Sequence, residues 1–546
     1  MTQPPATSLP PPEAAGTPAA RKGERSRRQT GDEVEPGGEA GERTRRVLML
    51  LFHFPPLGGV AVPRNVRNVE YLPRFGWTPV VVAPSDAAGL MDPDTLALVP
   101  LATRVIRARC PEPRDLRRVV DPLRRAVGRA SRVGTGPARA PSRGEPGSGE
   151  PPWPPRDDAG ASGRPAPAWA WRLYRLLAFP DGQVGWLPFA VVAAVRAHRA
   201  GPFDVIYSTS APITAHVVAG IVKRLTGVPW VAEFRDPWLG SPIAAALGGR
   251  QPWLHRRLQV RLERWIVHSA DRIVFLSSST AGAYRHRYPD AAEMVTITNG
   301  HDRGDVVPHA AGRHGPGRFR IVSAGSLRPA ELKVFLEAVS RLAARRPSLA
   351  DELEIVFYGH VSTECQAVAD RFTSLDPLGT IVQFPGFVPR SIALEAIAGA
   401  DAALVMLGAG PGMGQIVPGK LFEIIGQDKQ VLAVLPPGDA RDILAELDWG
   451  VVAEPDAPDI ERAIERLLAL PPPTRRADPK GAYDRVALAR RLADTLRAAA
   501  EAPHDPDPAA ARPPRPQAGD PLVGAAPQRN ELSMKVTPGG EEPSEL

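Results

Sequence analysis

Cysteine is almost missing. The 546 residues contain two, Cys110 and Cys365, far apart in the chain. They build no disulfide framework and have no zinc-ligand spacing, which excludes a small stapled secreted scaffold and suits a reducing compartment. Long apolar runs are missing too: no stretch approaches the run of about 20 apolar residues that spans a bilayer. The opening MTQPPATSLPPPEAAGTPAA has no apolar centre of the kind a secretory leader needs, so the expected place of work is the cytoplasm, in solution or at a membrane surface. Aromatics make up only 6%, and the basic residues are not interleaved with them as a base-stacking surface requires, so nucleic acid is not an expected partner. The net charge of +7 fits a phosphorylated substrate, an anionic membrane or simply an Arg-rich soluble protein, and decides nothing alone.

Proline and glycine are what the chain has in excess, 63 and 50 residues, and they cluster. Residues 1–45 and 501–546 carry almost no large apolar side chains and are expected to be disordered, because nothing in them offsets the entropy of ordering. A third such stretch, 128–168, reads as a long flexible insertion on one face of a domain. Without these, about 400 residues of periodic, apolar-rich sequence remain, enough for two to three domains.

In that remainder short apolar runs alternate with helical patterns. VLMLLF (47–52), TPVVVAP (78–84), FDVIYSTS (203–210), VPWVAEF (228–234) and DRIVFLS (271–277) read as strands, with helices over 65–76, 212–226 and 253–269. The rhythm restarts at residue 319 with six strand candidates at 319–325, 353–359, 381–387, 402–407, 430–436 and 450–455. Helices are expected over 330–345, 363–373, 391–399, 418–427, 438–447 and 457–469, and a final one over 481–500. Continuous β-branched runs separated by helices imply parallel strands covered on both faces. The expected fold is α/β: two Rossmann-like, doubly wound domains, 46–310 and 318–480, facing a cleft at the carboxyl ends of their strands.

The chemistry-bearing residues cluster where such a cleft would lie. In PPLGGVAVPR (55–64), Gly58 and Gly59 let backbone approach a ligand, a helix N-terminus follows, and Arg64 sits one turn in. That suits an anion, the alternative being a plain strand-to-helix turn. VPWVAEFRDPW (228–238) puts Glu233, Arg235 and Asp236 after a buried strand, facing a cleft, the alternative being an Arg235–Asp236 ion pair that caps the next helix. SAGSLRP (323–329) gives a turn at Gly325, then Arg328, with Lys333 a turn into the helix; both cations suit a diphosphate or plain solvation. GAGPGMGQIVPGKLFEIIG (408–426) is a glycine loop leading into a helix. Lys420 and Glu423 there are three residues apart and share a face. Such a helix start can hold phosphate, and its carboxylate can accept two sugar hydroxyls.

Taken in order, these segments, with PDGQVGW (180–186), ITNGHD (297–302), FYGH (357–360) and FPGFVPR (384–390), resemble the family-four retaining glycosyltransferases of GT-B architecture. The likeness is to the bacterial branch that builds surface polysaccharides and covers about 46–500, the insertion apart. The family pairs two glutamates; Glu423 matches the second, which holds the donor ribose, and Gln415 stands at the first, the donor-sugar contact. Ser326 stands where a basic residue is common, leaving Arg328 and Lys333 for the diphosphate.

The resemblance implies a nucleotide-sugar co-substrate and no other cofactor. It places the acceptor in the first domain and the donor in the second, with transfer proceeding with retention and without a metal. It places Arg235 and Asp236, with Gly59, at the catalytic side, and Gly58, Arg64, Gly325, Arg328, Lys333, Gln415, Lys420 and Glu423 around the donor. It also implies that the helix 481–500 crosses back to brace the first domain, and that the acceptor is a glycan or lipid-linked, met peripherally at the inner membrane face. WAWRLYRLLAF (169–179) mixes Trp, Arg and Leu as an interfacial helix does, or packs in a core. Rival expectations are a nucleotide-sugar 2-epimerase, for which no set of acid/base carboxylates with a His is found, and a degenerate scaffold, which Gln415 and the tails suggest.

Overall fold

The computed structural model describes residues 44–59, 61–85, 91–111, 178–240, 253–303, 317–375 and 377–502, all within the compact unit Arg43–Leu546. The insertion 128–168 and helix 169–179 lie outside the described residues, except Ala178 and Phe179; so do the tails, except for a few residues at their folded edges. Seven strands form the first sheet: β1 (Arg45–Leu50), β2 (Trp77–Pro84), β3 (Arg104–Ala108), β4 (Val205–Ser210), β5 (Trp230–Phe234), β6 (Arg272–Phe275) and β7 (Glu293–Thr296). Six form the second: β8 (Phe319–Ala324), β9 (Leu353–Tyr358), β10 (Val382–Gly386), β11 (Ala402–Met406), β12 (Gln430–Val434) and β13 (Val451–Ala453). The spatial orders are β3-β2-β1-β4-β5-β6-β7 and β10-β9-β8-β11-β12-β13, and every pair is parallel.

Both sheets are doubly wound because each strand is apolar on both faces. In β1, Leu48 and Leu50 pack with Val80, Val82 and the helices α2 (Leu187–Ala200), α3 (Thr214–Thr226) and α4 (Trp253–Ser269), while α5 (Ser278–Arg287) follows β6. Val47 and Met49, pointing the other way, pack with Val62, Val66 and Val69 of α1 (Val62–Tyr71). In the second sheet, Ile321, Ile355 and Leu404 meet α6 (Pro329–Arg345), α7 (Thr363–Thr373) and α11 (Ala457–Ala469). Val322, Val356 and Val405 meet α8 (Arg390–Gly399), α9 (Gly419–Gly426) and α10 (Asp439–Leu447). The last helix, α12 (Arg485–Glu501), places Leu488, Leu492 and Leu496 in the core that holds Val47 and Met49, so it returns to the first sheet.

Several elements differ from expectation. α1 starts earlier, at Val62 with Pro63 in its first turn, and ends at Tyr71, where Pro73 redirects the chain into a short turn, Leu72–Phe75. β3, β7, α2 and α5 were not expected. α12 begins at Arg485, not residue 481, because Gly481 is left-handed (φ 67°) and Asp484 caps the helix through the Val486 N–H.

Candidate active site

Strand order reverses between β1 and β4 in one sheet and between β8 and β11 in the other, and open parallel sheets bind ligands outside such points. The glycine loop after β1 and the loops after β8 and β11 lie there. Gly59 has φ 107°, which any side chain would resist, and the carbonyl of Gly59 accepts from the Val62 N–H at the start of α1. The loop is pinned from behind: Asn65 Nδ2 donates to the His53 carbonyl at 2.8 Å, and the Asp92 N–H donates to the Pro56 carbonyl. Gly58 is buried and Gly59 exposed.

Arg64 does not face the cleft as an anion-binding group. It is 4% exposed and grips Glu233, itself fully buried, through Nε at 3.1 and 3.2 Å and Nη2 at 2.6 Å. It also donates to the carbonyls of Thr298 and Ile297. The physical reason is that Glu233 points from β5 toward α1 into an apolar core, where only a cation can satisfy it; Thr209 Oγ1 adds a third donor at 3.1 Å. Arg235, two residues on, is anchored by Nε to the Ser210 carbonyl at 3.0 Å, and Asp236 is exposed beside it. The loop they open is held by buried Glu263, which accepts from the Leu239 N–H (3.1 Å), Tyr284 (2.7 Å), Tyr288 (2.8 Å) and Arg287 (3.1 Å).

In the second sheet, Gly325 (φ 118°) ends β8, and the carbonyl of Gly325 would lie 2.2 Å from a Cβ at Gly359, so the strand ends meet backbone to backbone. Arg328 follows at the N-cap of α6, 3.7 Å from the Glu331 carboxylate, which accepts from the Gly408 N–H at 2.7 Å. Burial pushes the Glu331 carboxyl up, the Gly408 bond and the nearby cations Arg328 and Lys420 only partly offsetting it. Burial likewise pulls the Lys420 ammonium below its ordinary range, against the pull of Glu331. Arg328, Glu331 and Lys420 thus form one charged cluster over the β8/β11 reversal.

Lys333 is not part of this cluster. It is 54% exposed and pairs with Glu337 at 3.5 Å, because the helical period carries it past Arg328 to the solvent face. Glu423 lies one turn beyond Lys420 and accepts from Arg390 Nη2 at 2.8 Å. Both line a small pocket with Gly300, His301, Asp302 and Gln427. Gln415 ends a short turn, Met413–Gln415, which packs on α5 of the other sheet. A Cβ at Gly414 would lie 2.1 Å from the Pro437 carbonyl, so only glycine lets this loop sit against the start of α10.

Residues missed in the sequence complete the frame. Asp439, the first residue of α10, is buried and spans the sheets: it accepts from Ser278 Oγ (2.7 Å), Ser279 Oγ (2.8 Å), the Ser279 N–H (3.1 and 3.2 Å) and Ser277 Oγ. A carboxylate at the start of α5 is favoured by the helix dipole. Asp181 of the PDGQVGW segment accepts from the Thr214 N–H at 2.9 Å and its hydroxyl at 2.6 Å, tying that segment to the start of α3. An acid three residues after Arg328, and one after the PPG of 436–438, were the available signals for Glu331 and Asp439. Among the described residues no group of three or more His, Cys, Asp and Glu is arranged to hold a metal, and no helix is long and apolar enough to cross a membrane.

Residues 132–300 match a family model described as Glycosyl transferase 4-like domain. Among solved structures, the chain is similar to sucrose-phosphate synthase from Thermosynechococcus elongatus, at 15% identity over 83% of this chain and 98% of the other, with a TM-score of 0.50. It is also similar to alpha,alpha-trehalose 6-phosphate synthase from Burkholderia multivorans, at 15% identity over 84% and 97%, with a TM-score of 0.51. At such identities these likenesses speak for the two-domain fold alone. No curated protein matches the chain.

Proposed function

We propose that this chain, of which residues 132–300 match a glycosyl transferase 4-like domain, is a glycosyltransferase of the GT-B type that moves a sugar from a nucleotide-sugar donor seated on its second sheet to an acceptor seated on its first. The observation that carries the reading is the cluster of Arg328, Glu331 and Lys420 over the β8/β11 reversal, with Glu423 one turn further along α9. Two cations side by side suit a diphosphate, and a carboxylate about 5 Å on along the helix suits the ribose that follows it. Breaking the glycosidic bond builds negative charge on the leaving diphosphate. Arg328, Lys420 and the backbone of the Gly58–Gly59 loop are fixed before the reaction, so their contribution needs little reorganisation.

The Gly408–Gln415 loop, held by Glu331 at one end and packed on Gly438 at the other, faces the donor sugar, with Gln415 in place of a carboxylate. Arg235 and Asp236 orient the acceptor hydroxyl on the opposite wall. In this reading configuration is retained and the charge of the leaving group is met by Arg328 and Lys420 rather than a metal. The acceptor is a glycan or a lipid-linked sugar, and a lipid-linked one would bring the protein to the inner face of the plasma membrane.

A thermal-shift screen against UDP, GDP, TDP, ADP and their sugar conjugates, with and without EDTA, tests the reading. One nucleotide family is expected to raise the melting temperature, in EDTA as well, and Glu423→Ala and Lys420→Ala are each expected to abolish the shift. A well-folded protein that shifts with none of them, or whose shift survives both substitutions, would refute it.

A further inference from the structure

The Glu423 carboxylate is not presented by its own helix alone. Arg390, the first residue of α8, reaches across 33 residues of sequence and donates from Nη2 to Glu423 Oε1 at 2.8 Å. Among the described residues Oε2 takes no hydrogen bond. Both side chains are partly exposed, so the pair contributes little to stability, roughly 0–1 kcal/mol. Its geometry matters more than its energy. Without a cation on the side of α8, the Glu423 carboxylate has Lys420 as its alternative partner, three residues back on the same helical face. Pairing there would turn the carboxylate out of the pocket and neutralise a charge intended for the diphosphate. Arg390 prevents both. It fixes one oxygen at the edge of the small pocket that both side chains line with Gly300, His301, Asp302 and Gln427. A guanidinium suits this because it stays charged and directs a planar N–H at the one oxygen it holds.

We infer that Arg390 is a positioning residue for the donor nucleoside: it orients Glu423 to accept the ribose hydroxyls and holds it away from Lys420. This rests on the reading that Glu423 grips the ribose, and it adds a residue that sets selectivity for ribonucleotides over 2′-deoxyribonucleotides. Lys420 meets the diphosphate independently, so loss of Arg390 is expected to change ribose discrimination and not diphosphate binding.

Calorimetric titration of the full chain with UDP, GDP and ADP, their 2′-deoxy counterparts and inorganic diphosphate tests this. The wild type is expected to prefer the ribo form of one nucleotide by about tenfold or more, the scale of a hydrogen bond to a charged group. Glu423→Gln and Arg390→Ala are each expected to bring that ratio near one. In Arg390→Ala the affinity for inorganic diphosphate should stay within about twofold, and Arg390→Lys should restore part of the ratio. If Arg390→Ala keeps the wild-type ratio while Glu423→Gln loses it, the inference falls and the donor-site reading stands. Loss of inorganic diphosphate binding in Arg390→Ala, in step with the ratio, would mark Arg390 as merely structural and also overturn it. If Glu423→Gln keeps the ratio, or no nucleotide binds the wild type, the donor-site reading fails and takes the inference with it.

Discussion

Replacing Arg64 with Met should be among the most damaging single changes in the first domain, because its side chain is buried against Glu233. Its guanidinium is enclosed with the fully buried Glu233, donates to it from two nitrogens, and also satisfies the carbonyls of Ile297 and Thr298. Methionine fills much of the volume, so the cost is electrostatic: a carboxylate left in an apolar core with neutral hydroxyls such as Thr209 Oγ1 in place of its cation. Breaking one side of such a pair costs about 3–5 kcal/mol, which lowers a melting temperature by roughly 6–20 °C in a domain of this size. Replacing both partners, Arg64→Met with Glu233→Leu, should cost far less than the sum of the single changes, because no charge remains to be desolvated. Lys333→Ala, which removes the exposed pair with Glu337, should stay within about 0.5 kcal/mol of wild type and serves as the control. Urea unfolding followed by the fluorescence of buried Trp77 and Trp230 measures the wild type and the four variants, Glu233→Leu alone included. A single Arg64→Met change costing less than about 1 kcal/mol, or costs that simply add in the double variant, would refute the account of Arg64 as a buried counter-ion.

Two further predictions concern pH. Burial holds the Lys420 ammonium below the ordinary lysine range, so it loses its charge at a lower pH than a surface lysine would, and under the proposed function the diphosphate loses a cation with it. Nucleoside diphosphate affinity should therefore weaken as the pH is raised sooner than a surface lysine would allow, and Lys420→Arg should bind with a flatter profile; the same slope in both proteins would exclude Lys420 as the source. His216 sits in the first core with Nδ1 against Ser208 Oγ, and burial pushes its imidazole down from 6.5 to about 3. Since the folded value lies below the unfolded one, its stabilising contribution is complete above pH 6.5 and is lost as pH falls toward 3. At pH 5 the loss amounts to about 2 kcal/mol, from roughly 1.4 kcal/mol per unit. Unfolding at pH 7 and pH 5 should show that slope in the wild type and lack it in His216→Asn, whereas equal slopes would count against a neutral buried imidazole.

How far the sequence reveals the fold depends on whether an element states its burial locally. The helices 363–373 and 457–469 match α7 and α11 residue for residue, because each has an apolar face, a capping Ser362 or Asp456, and a strand on either side. α5 has no such face: SSTAGAYRHR scatters small and basic residues around the helix, and its start is fixed by Asp439 from the other sheet. β3 and β7 are the edges of the first sheet, where RVIRA and EMVT keep charged residues that conceal their pairing. The site divides in the same way. Arg328, Lys420 and Glu423 are visible because helix starts and spacing are local properties. Glu331 stands in the sequence like any first-turn acid, and Arg390 meets Glu423 only once α8 and α9 are packed. Arg64 and Glu233 both stand out in the sequence, but 169 residues separate them, and only the fold makes each the other's buried counter-ion.

The two sheets are joined in two different ways, and the difference bears on how the cleft is held. α12 joins them by completing a core: Leu488, Leu492 and Leu496 lie fully within the cluster of Val47, Met49 and Val231, so the last helix belongs energetically to the first sheet. It is led there by His301, whose N–H donates to the Tyr483 carbonyl and whose own carbonyl accepts from the Arg485 N–H, both at 2.9 Å. Removing such apolar contacts exposes surface that water cannot satisfy. The Asp439 contact with Ser277, Ser278 and Ser279 is polar throughout, and water can take over each of its hydrogen bonds at a net cost of only about 0.5–3 kcal/mol. The apolar brace therefore sets where the sheets stand, and the polar bridge is the exchangeable link. That bridge lies beside the Met413–Gln415 turn, which places the reversible contact between the sheets next to the glycine-rich loop after β11.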